Sequence, residues 1–156
     1  MPNCFPITVR LQKYEIAEWG NTVAILGLGK FFELGKIVKE KLKNTLGIDA
    51  TLINPRYVNE LDTVTLEKIK SNHRLTITLE DGVISGGFGE KIARFYGNSS
   101  MRVLNFGAEK EFADNVSVNE LYIRYRLTAE QIVSDISDEI DKICNKERVF
   151  LCSKEF

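Results

Sequence analysis

The stretch Glu80–Gly89, EDGVISGGFG, stands between two segments of different periodicity. Before it, Leu75, Ile77 and Leu79 place apolar side chains at every second position, the pattern of a strand. After it, Glu90-Lys-Ile-Ala-Arg-Phe-Tyr96 has the spacing of an amphipathic helix. A buried strand that breaks into glycines and then a helix leaves backbone N–H groups bare at the helix start, in the crevice beyond the strand's carboxyl end. Open α/β sheets bind their ligands in that crevice.

Working outward, the same strand-then-helix unit recurs. Val23–Leu28, VAILGL, is a continuous apolar run and reads as a strand buried on both faces. Gly27 and Gly29 break it, and Phe31, Leu34, Ile37, Val38, Leu42 and Leu46 follow at helical spacing, with Gly47 as the stop. Residues 12–18 alternate polar and apolar as an edge strand with one wet face does, and Trp19-Gly20-Asn21 supplies a turn. Ala50–Ile53 is a short strand; Asn54-Pro55-Arg56-Tyr57 turns; Thr63 or Thr65 caps a helix running to about Asn72. Arg74–Leu79 is the strand that enters the glycine loop. Met101–Asn105 is the last strand, ended by Gly107. Val118–Tyr125 and Thr128–Cys144 read as closing helices, the second with Ile132, Ile136, Ile140 and Ile143 on one stripe. Strands alternating with helices imply an α/β fold with a largely parallel sheet covered on both faces. The leading residues Met1–Arg10 and the final VFLCSKEF fit no part of this cycle.

Composition narrows the function classes. The 156 residues, 44% hydrophobic and 28% charged, suffice for one domain with one proper core. With 21 Lys+Arg against 22 Asp+Glu the net charge is -1, so no global basic field recruits nucleic acid or an anionic membrane. No apolar run approaches a bilayer's span, and MPNCFPITVR has neither a basic n-region nor an apolar h-region, so a cytoplasmic protein is the expectation. Cys4, Cys144 and Cys152 are odd in number and share no zinc-like spacing, which suggests free thiols in a reducing compartment.

Several constellations look chemical. Gly27-Leu-Gly29 invites a dinucleotide fingerprint, but the third glycine would fall at Phe32, and a tight strand-to-helix turn is the better reading. Glu80-Asp81-Gly82 with Asn105 downstream mimics the GDG…N pattern that holds a metal–diphosphate, without its first glycine. His73, the only histidine, has no cysteine or carboxylate at ligand spacing and reads as a solvated loop residue. The candidate anion or interface site is therefore the glycine loop, Gly86, Gly87 and Gly89, with Glu80, Lys91 and Arg56 around it. Its plain alternative is that the glycines let helix and strand approach closely, that Lys91 and Arg94 are a solvated face, and that Arg56 pairs with Asp62 or Glu80.

Taken together, four blocks carry a resemblance: Thr22-VAILGLG29, Asp49-ATLINPRYVNELD62, Leu75-TITLEDGVISGGFG89 and Val103-LNFGAEKEF112. In this order and spacing they resemble the C-terminal domain of the transketolase superfamily, and most of all that of the 1-deoxy-D-xylulose-5-phosphate synthases. That family writes VAIL-x-x-G, D-x-RFVKPLD, VTVEE or VTLED with GG-x-G, and VLN-x-G-x-x-D-x-F; here Asn59-Glu60 replaces its Lys-Pro and Glu109-Lys110 its Pro-Asp. The resemblance implies a three-layer α/β/α fold with a five-stranded mixed sheet, four strands parallel and one, from residues 12–18, antiparallel. It divides the chain into 1–11, a leader or remnant of a preceding pyrimidine-binding domain; 12–145, the domain itself; and 146–156, a tail. In that family thiamine diphosphate and magnesium lie between the two preceding domains, so the resemblance implies no cofactor in this chain. It implies partners as well: those thiamine-binding domains, of the same or a companion chain, and a second copy in a homodimer. The alternatives are the C-terminal domain of a transketolase or of a 2-oxoacid dehydrogenase decarboxylase β subunit, or a free-standing module that binds a small anion.

Overall fold

Val23 to Leu26 are completely buried, and alternate side chains of a strand point to opposite faces, so this strand demands cover above and below. The computed structural model describes residues 13–111 and 115–152 and provides that cover. In chain order the elements are β1 (Glu15–Glu18), β2 (Thr22–Gly27), α1 (Phe31–Leu46), β3 (Thr51–Asn54), α2 (Thr63–Asn72), β4 (His73–Val83), α3 (Phe88–Tyr96), β5 (Arg102–Ala108), α4 (Val118–Arg124) and α5 (Ala129–Cys152). They form a five-stranded sheet in the order β1-β3-β2-β4-β5. β1 is antiparallel to β3, and every other pairing is parallel.

Right-handed crossovers distribute the helices. The chain leaves β2 in one direction for β3, then returns across β2 to β4 and continues to β5. α1 therefore lies on one face, and α2 and α3 lie on the other. On the first face Val23, Ile25, Leu52, Leu75, Ile77, Leu79 and Phe106 pack against Phe31, Val38 and Leu42 of α1 and Ile132 and Ile136 of α5. On the second, Ala24, Leu26 and Ile53 meet Leu66 and Ile69 of α2 and Phe88, Ile92 and Tyr96 of α3. Tyr14, just before β1, completes that layer, and burial pushes its hydroxyl up to about 12.

Several boundaries differ from the sequence reading, each for a local reason. β4 runs past Leu79 to Val83 because its ladder with β5, irregular between Leu79 and Val83, resumes at Val83 and Ala108. Gly107 accordingly lies within β5 and does not end it. α3 begins at Phe88 and not at Glu90, with Gly87 as its cap residue. α2 is capped by Asp62, not Thr63 or Thr65: one carboxylate oxygen accepts the Thr65 N–H at 3.1 Å and the other the Thr65 hydroxyl at 2.7 Å. α5 continues beyond Cys144 to Cys152, so residues 146–152 of the expected tail are helical. Gly47 does end α1, in the left-handed conformation (φ 68°) with its N–H on the Leu42 and Lys43 carbonyls. The expectations placed on Met1–Arg10, including Cys4, lie outside the described residues.

His73 corrects the sequence reading most sharply. It is 5% exposed and opens β4 opposite Thr22. Its Nδ1 lies 3.0 Å from the Ile69 carbonyl, which can only accept, so Nδ1 carries the proton. Nε2 then accepts from the Thr51 hydroxyl at 2.7 Å, and that oxygen accepts the Gly20 N–H at 2.9 Å. Burial holds the imidazole below its ordinary range. An unfolded chain takes up this proton near pH 6.5, whereas the native state resists it, so stability is complete above about pH 6.5 and falls as the pH drops below that value. Urea midpoints at pH 7.5 and 5.5 will show this loss, and His73→Gln will flatten it; an equal slope in the variant would assign the loss to other groups. Ile77→Ala, at a fully buried site on the central face, is expected to cost about 2–5 kcal/mol in the same assay.

Candidate functional site

β4 divides its side chains sharply. Leu75, Ile77 and Leu79 enter the apolar core under α1, whereas Thr76, Thr78 and Glu80 alternate with them and face α3. Three buried polar groups in a row demand partners; the Thr76 hydroxyl finds none among the described residues, and the other two are satisfied. The Thr78 hydroxyl donates to Asn105 Oδ1 on β5 at 2.8 Å. Glu80 Oε2 accepts the Phe88 N–H at 2.8 Å and its Oε1 the Gly89 N–H at 3.1 Å. The anion at the start of α3 is thus the protein's own carboxylate, placed where a helix N-terminus favours negative charge.

The glycines of the loop fit that arrangement. A Cβ on Gly87 would lie 2.4 Å from Glu80 Oε2, and one on Gly89 would lie 2.6 Å from Thr78 Oγ1 and 2.7 Å from Asn105 Oδ1. Only residues without side chains let the helix start come this close to the strand. Gly86 takes the loop's left-handed position (φ 75°), and its N–H donates to Glu90 Oε2 at 2.9 Å. The structure therefore brings Glu80, Gly87 and Gly89 together as one unit and places Gly86 beside Glu90.

Arg56 and Lys91 converge on the neighbouring loop and not on the carboxylate. Lys91 Nζ donates to the Val58 carbonyl at 2.9 Å, tying α3 to the segment between β3 and α2. Arg56 pairs with neither Asp62 nor Glu80; its Nε and a terminal nitrogen reach Glu15 Oε2 on β1 at 2.8 and 2.5 Å. Asp62 is engaged elsewhere, accepting the Tyr14 N–H at 2.9 Å as well as capping α2. Burial pushes its carboxyl up, but these hydrogen bonds outweigh burial and hold it below the ordinary range. Arg56 adopts positive φ (58°), uncommon for a non-glycine residue, and Tyr57 and Val58 beside it are exposed. At the carboxyl end of the sheet, this loop carries bare aromatic and aliphatic surface.

The GDG…N resemblance dissolves in three dimensions. Glu80 is committed to α3, Asn105 to Thr78, and Asp81 and Gly82 lie exposed on the strand's end. These residues do not fit a metal–diphosphate headgroup, and among the described residues no cluster of three or more His, Cys, Asp or Glu side chains is placed to hold a metal. A groove of about 380 Å³ runs beside β5, and the cations that line it are paired with carboxylates of the domain: Arg126 with Asp135, Arg124 with Glu111 and Glu120, and Lys142 with the buried Glu139. Sequence reasoning missed the roles of Asp62 and of Lys39, which is 7% exposed and donates to Asp49 Oδ1 and the Ala50 carbonyl. For Asp62 a signal existed, since aspartate is a preferred N-cap and stands directly before Thr63. Among the described residues no helix is long and apolar enough to cross a membrane.

Removing the internal anion should expose the helix start. Glu80→Ala is expected to cost about 1–3 kcal/mol in urea unfolding, since buried amides lose their acceptor. Added phosphate should then raise the variant's midpoint by more than it raises that of the unsubstituted protein at equal ionic strength. An unchanged midpoint in Glu80→Ala would show that the cap is energetically idle.

Comparison with known proteins agrees with this architecture. Residues 12–132 match the family described as "Transketolase, C-terminal domain". The chain is 36% identical over 126 residues to the 1-deoxy-D-xylulose-5-phosphate synthase of Clostridium tetani, covering 80% of this chain and 20% of that enzyme. It is 30% identical over 131 residues to the synthase of Carboxydothermus hydrogenoformans, covering 83% of this chain and 21% of that one. The chain thus spans about a fifth of the length of the curated relatives it matches. Among solved structures, a split-gene transketolase described as an inactive beta4 tetramer superposes with a TM-score of 0.74 at 20% identity, over 82% of this chain and 42% of its own. At that identity the likeness speaks to the fold alone. With sheet, motif order and family match in agreement, this chain belongs to the transketolase C-terminal domain family.

Proposed function

We propose that this chain is the C-terminal domain of a thiamine-diphosphate-dependent 1-deoxy-D-xylulose-5-phosphate synthase, the transferase that condenses pyruvate with glyceraldehyde 3-phosphate. Its work there is packing and dimerisation, and alone it catalyses nothing. The observation that carries this reading is the 36% identity to the Clostridium tetani synthase, spread over 80% of this chain yet reaching only a fifth of that enzyme. The cofactor and its magnesium would then be held by the preceding domains, in keeping with Glu80 and Asn105 being spent on the domain's own scaffold.

The face offered to those domains, on this reading, is the carboxyl end of the sheet. There Lys91 braces the loop of Arg56, Tyr57 and Val58, and the glycine loop lies alongside. The rival reading, a free-standing module for a small anion, needs bare amides at the start of α3. Glu80 and Glu90 occupy those of Phe88, Gly89 and Gly86, which favours the interface.

Calorimetry decides between a packing domain and a self-sufficient enzyme. Titrating the purified chain with thiamine diphosphate and magnesium should give no saturable heat, because a diphosphate headgroup needs a bridging cation and its oxygen ligands. Magnesium-dependent binding at micromolar affinity would overturn the reading.

A further inference from the structure

His73 stands where three segments meet: the end of α2, the start of β3, and the turn Trp19-Gly20-Asn21 between β1 and β2. The Thr51 hydroxyl joins ring and turn. Its single hydrogen goes to Nε2, 2.7 Å away, and its oxygen accepts the Gly20 N–H at 2.9 Å. A second bond, from the Asn21 N–H to the Asp49 carbonyl at 2.8 Å, completes the turn's hold on this end of β3. Around the ring, Ile69 of α2 and Thr51 of β3 are completely buried, whereas Trp19 in the turn is 52% exposed. The turn is also the strained member. Thr22 takes φ 63°, and the Val23 N–H lies 2.6 Å from the Asn21 carbonyl, the hydrogen-bond pattern of a γ-turn centred on a β-branched residue. The register between β2 and β4 shifts at the same place, between Thr22 and Val23.

A proton on Nε2 upsets this corner in two ways. Thr51 Oγ1 then has to accept from two N–H groups, and its own hydrogen loses its acceptor. The ring also carries a charge that no carboxylate receives. The charged groups of the surrounding elements pair with one another: Lys39 of α1 with Glu18 and Asp49, Lys70 of α2 with Glu67, and Arg74 of β4 with Glu147 of α5, while Lys68 of α2 is exposed. What acts on the ring is burial and the Ile69 carbonyl. A charged imidazole in such a place must be reached by water, and the turn is the cover that yields most easily.

We propose that His73 is a proton-operated latch on the β1–β2 turn: neutral, it holds residues 19–22 against β3 through Thr51, and on taking up a proton it lets the turn open while the sheet and its helices stay folded. This latch depends on no role in a larger enzyme. With the turn open, the ring meets water and takes up a proton near its ordinary pKa of about 6.5, whereas the latched ring resists it. Opening is therefore indifferent to pH above about 6.5 and is favoured by up to about tenfold for each unit below that.

Amide hydrogen exchange of the full chain, followed by NMR between pH 7.5 and 5.5, separates a local latch from loss of the whole fold. After correction for intrinsic exchange, protection at Gly20 and Asn21 should stay at least about tenfold below that at Ile25 and Ile77 in the central strands. It should hold level above pH 6.5 and fall by up to about tenfold from pH 6.5 to 5.5. In His73→Gln the same amides should show no such fall. Equal protection for turn and central strands would mean that the proton acts only through global unfolding, and would overturn the latch. Turn protection that ignores pH in the unsubstituted chain, or that still follows it in His73→Gln, overturns it as well. If His73→Gln does not fold, Thr51→Val decides. Protection at Gly20 should then be lost already at pH 7.5 and no longer follow pH; a Gly20 amide as protected and as pH-dependent as before would show that Thr51 transmits nothing.

Discussion

Two neighbouring parallel strands, β2 and β4, carry apolar side chains on a face that water cannot be allowed to reach, and the chain's handedness dictates how that face is covered. Because each crossover is right-handed, the reversal of direction at β2 sends α1 to one side and α2 and α3 to the other. α1 lies over β2, β3 and β4. The half of the sheet towards β5, with Leu104 and Phe106, needs a further helix, and α5 supplies it through Ile132 and Ile136. The closing helix is thereby a requirement of the sheet order and not an appendage.

The opposite face solves a different problem. There β4 presents hydroxyls and a carboxylate where its alternation would otherwise call for aliphatic groups. Burying Glu80 would be costly without partners, and the first amides of α3 would be orphaned without an acceptor. Each defect cancels the other. The same exchange recurs at Asp62, which caps α2 while holding the entry to β1 through the Tyr14 amide. Two carboxylates thus fix where two helices start, and the glycines around Glu80 are the geometric condition for one of these caps.

Much of this was legible in the residues. Continuous apolar runs identified the buried strands, spacing identified α1 and the stripe of α5, and Gly47 marked a stop that the structure keeps. What periodicity cannot convey is where a ladder resumes after an irregularity, so β4 and β5 proved longer than their apolar cores. It also cannot assign partners to polar side chains. His73 has no ligand near it in sequence, yet its partners in the fold are Thr51, from another strand, and the carbonyl of Ile69 one turn earlier. The glycine loop stands out in the sequence by its composition alone. That its amides were already claimed depended on Glu80 pointing to the α3 side, a matter of strand register that only the assembled sheet fixes.

α5 has one more consequence, for how the molecule comes into being. Synthesis runs from the N-terminus at about 5–20 residues per second, and β5 is complete well before Ile132 and Ile136 have been made. During that interval Phe106 and the neighbouring part of the first apolar face lack their cover. Parallel pairing between strands distant in sequence is slow in any case, since loop closure must precede the gain in contacts. The nascent sheet therefore passes through a stage of seconds with one face unfinished, which is when a chaperone has most to offer it.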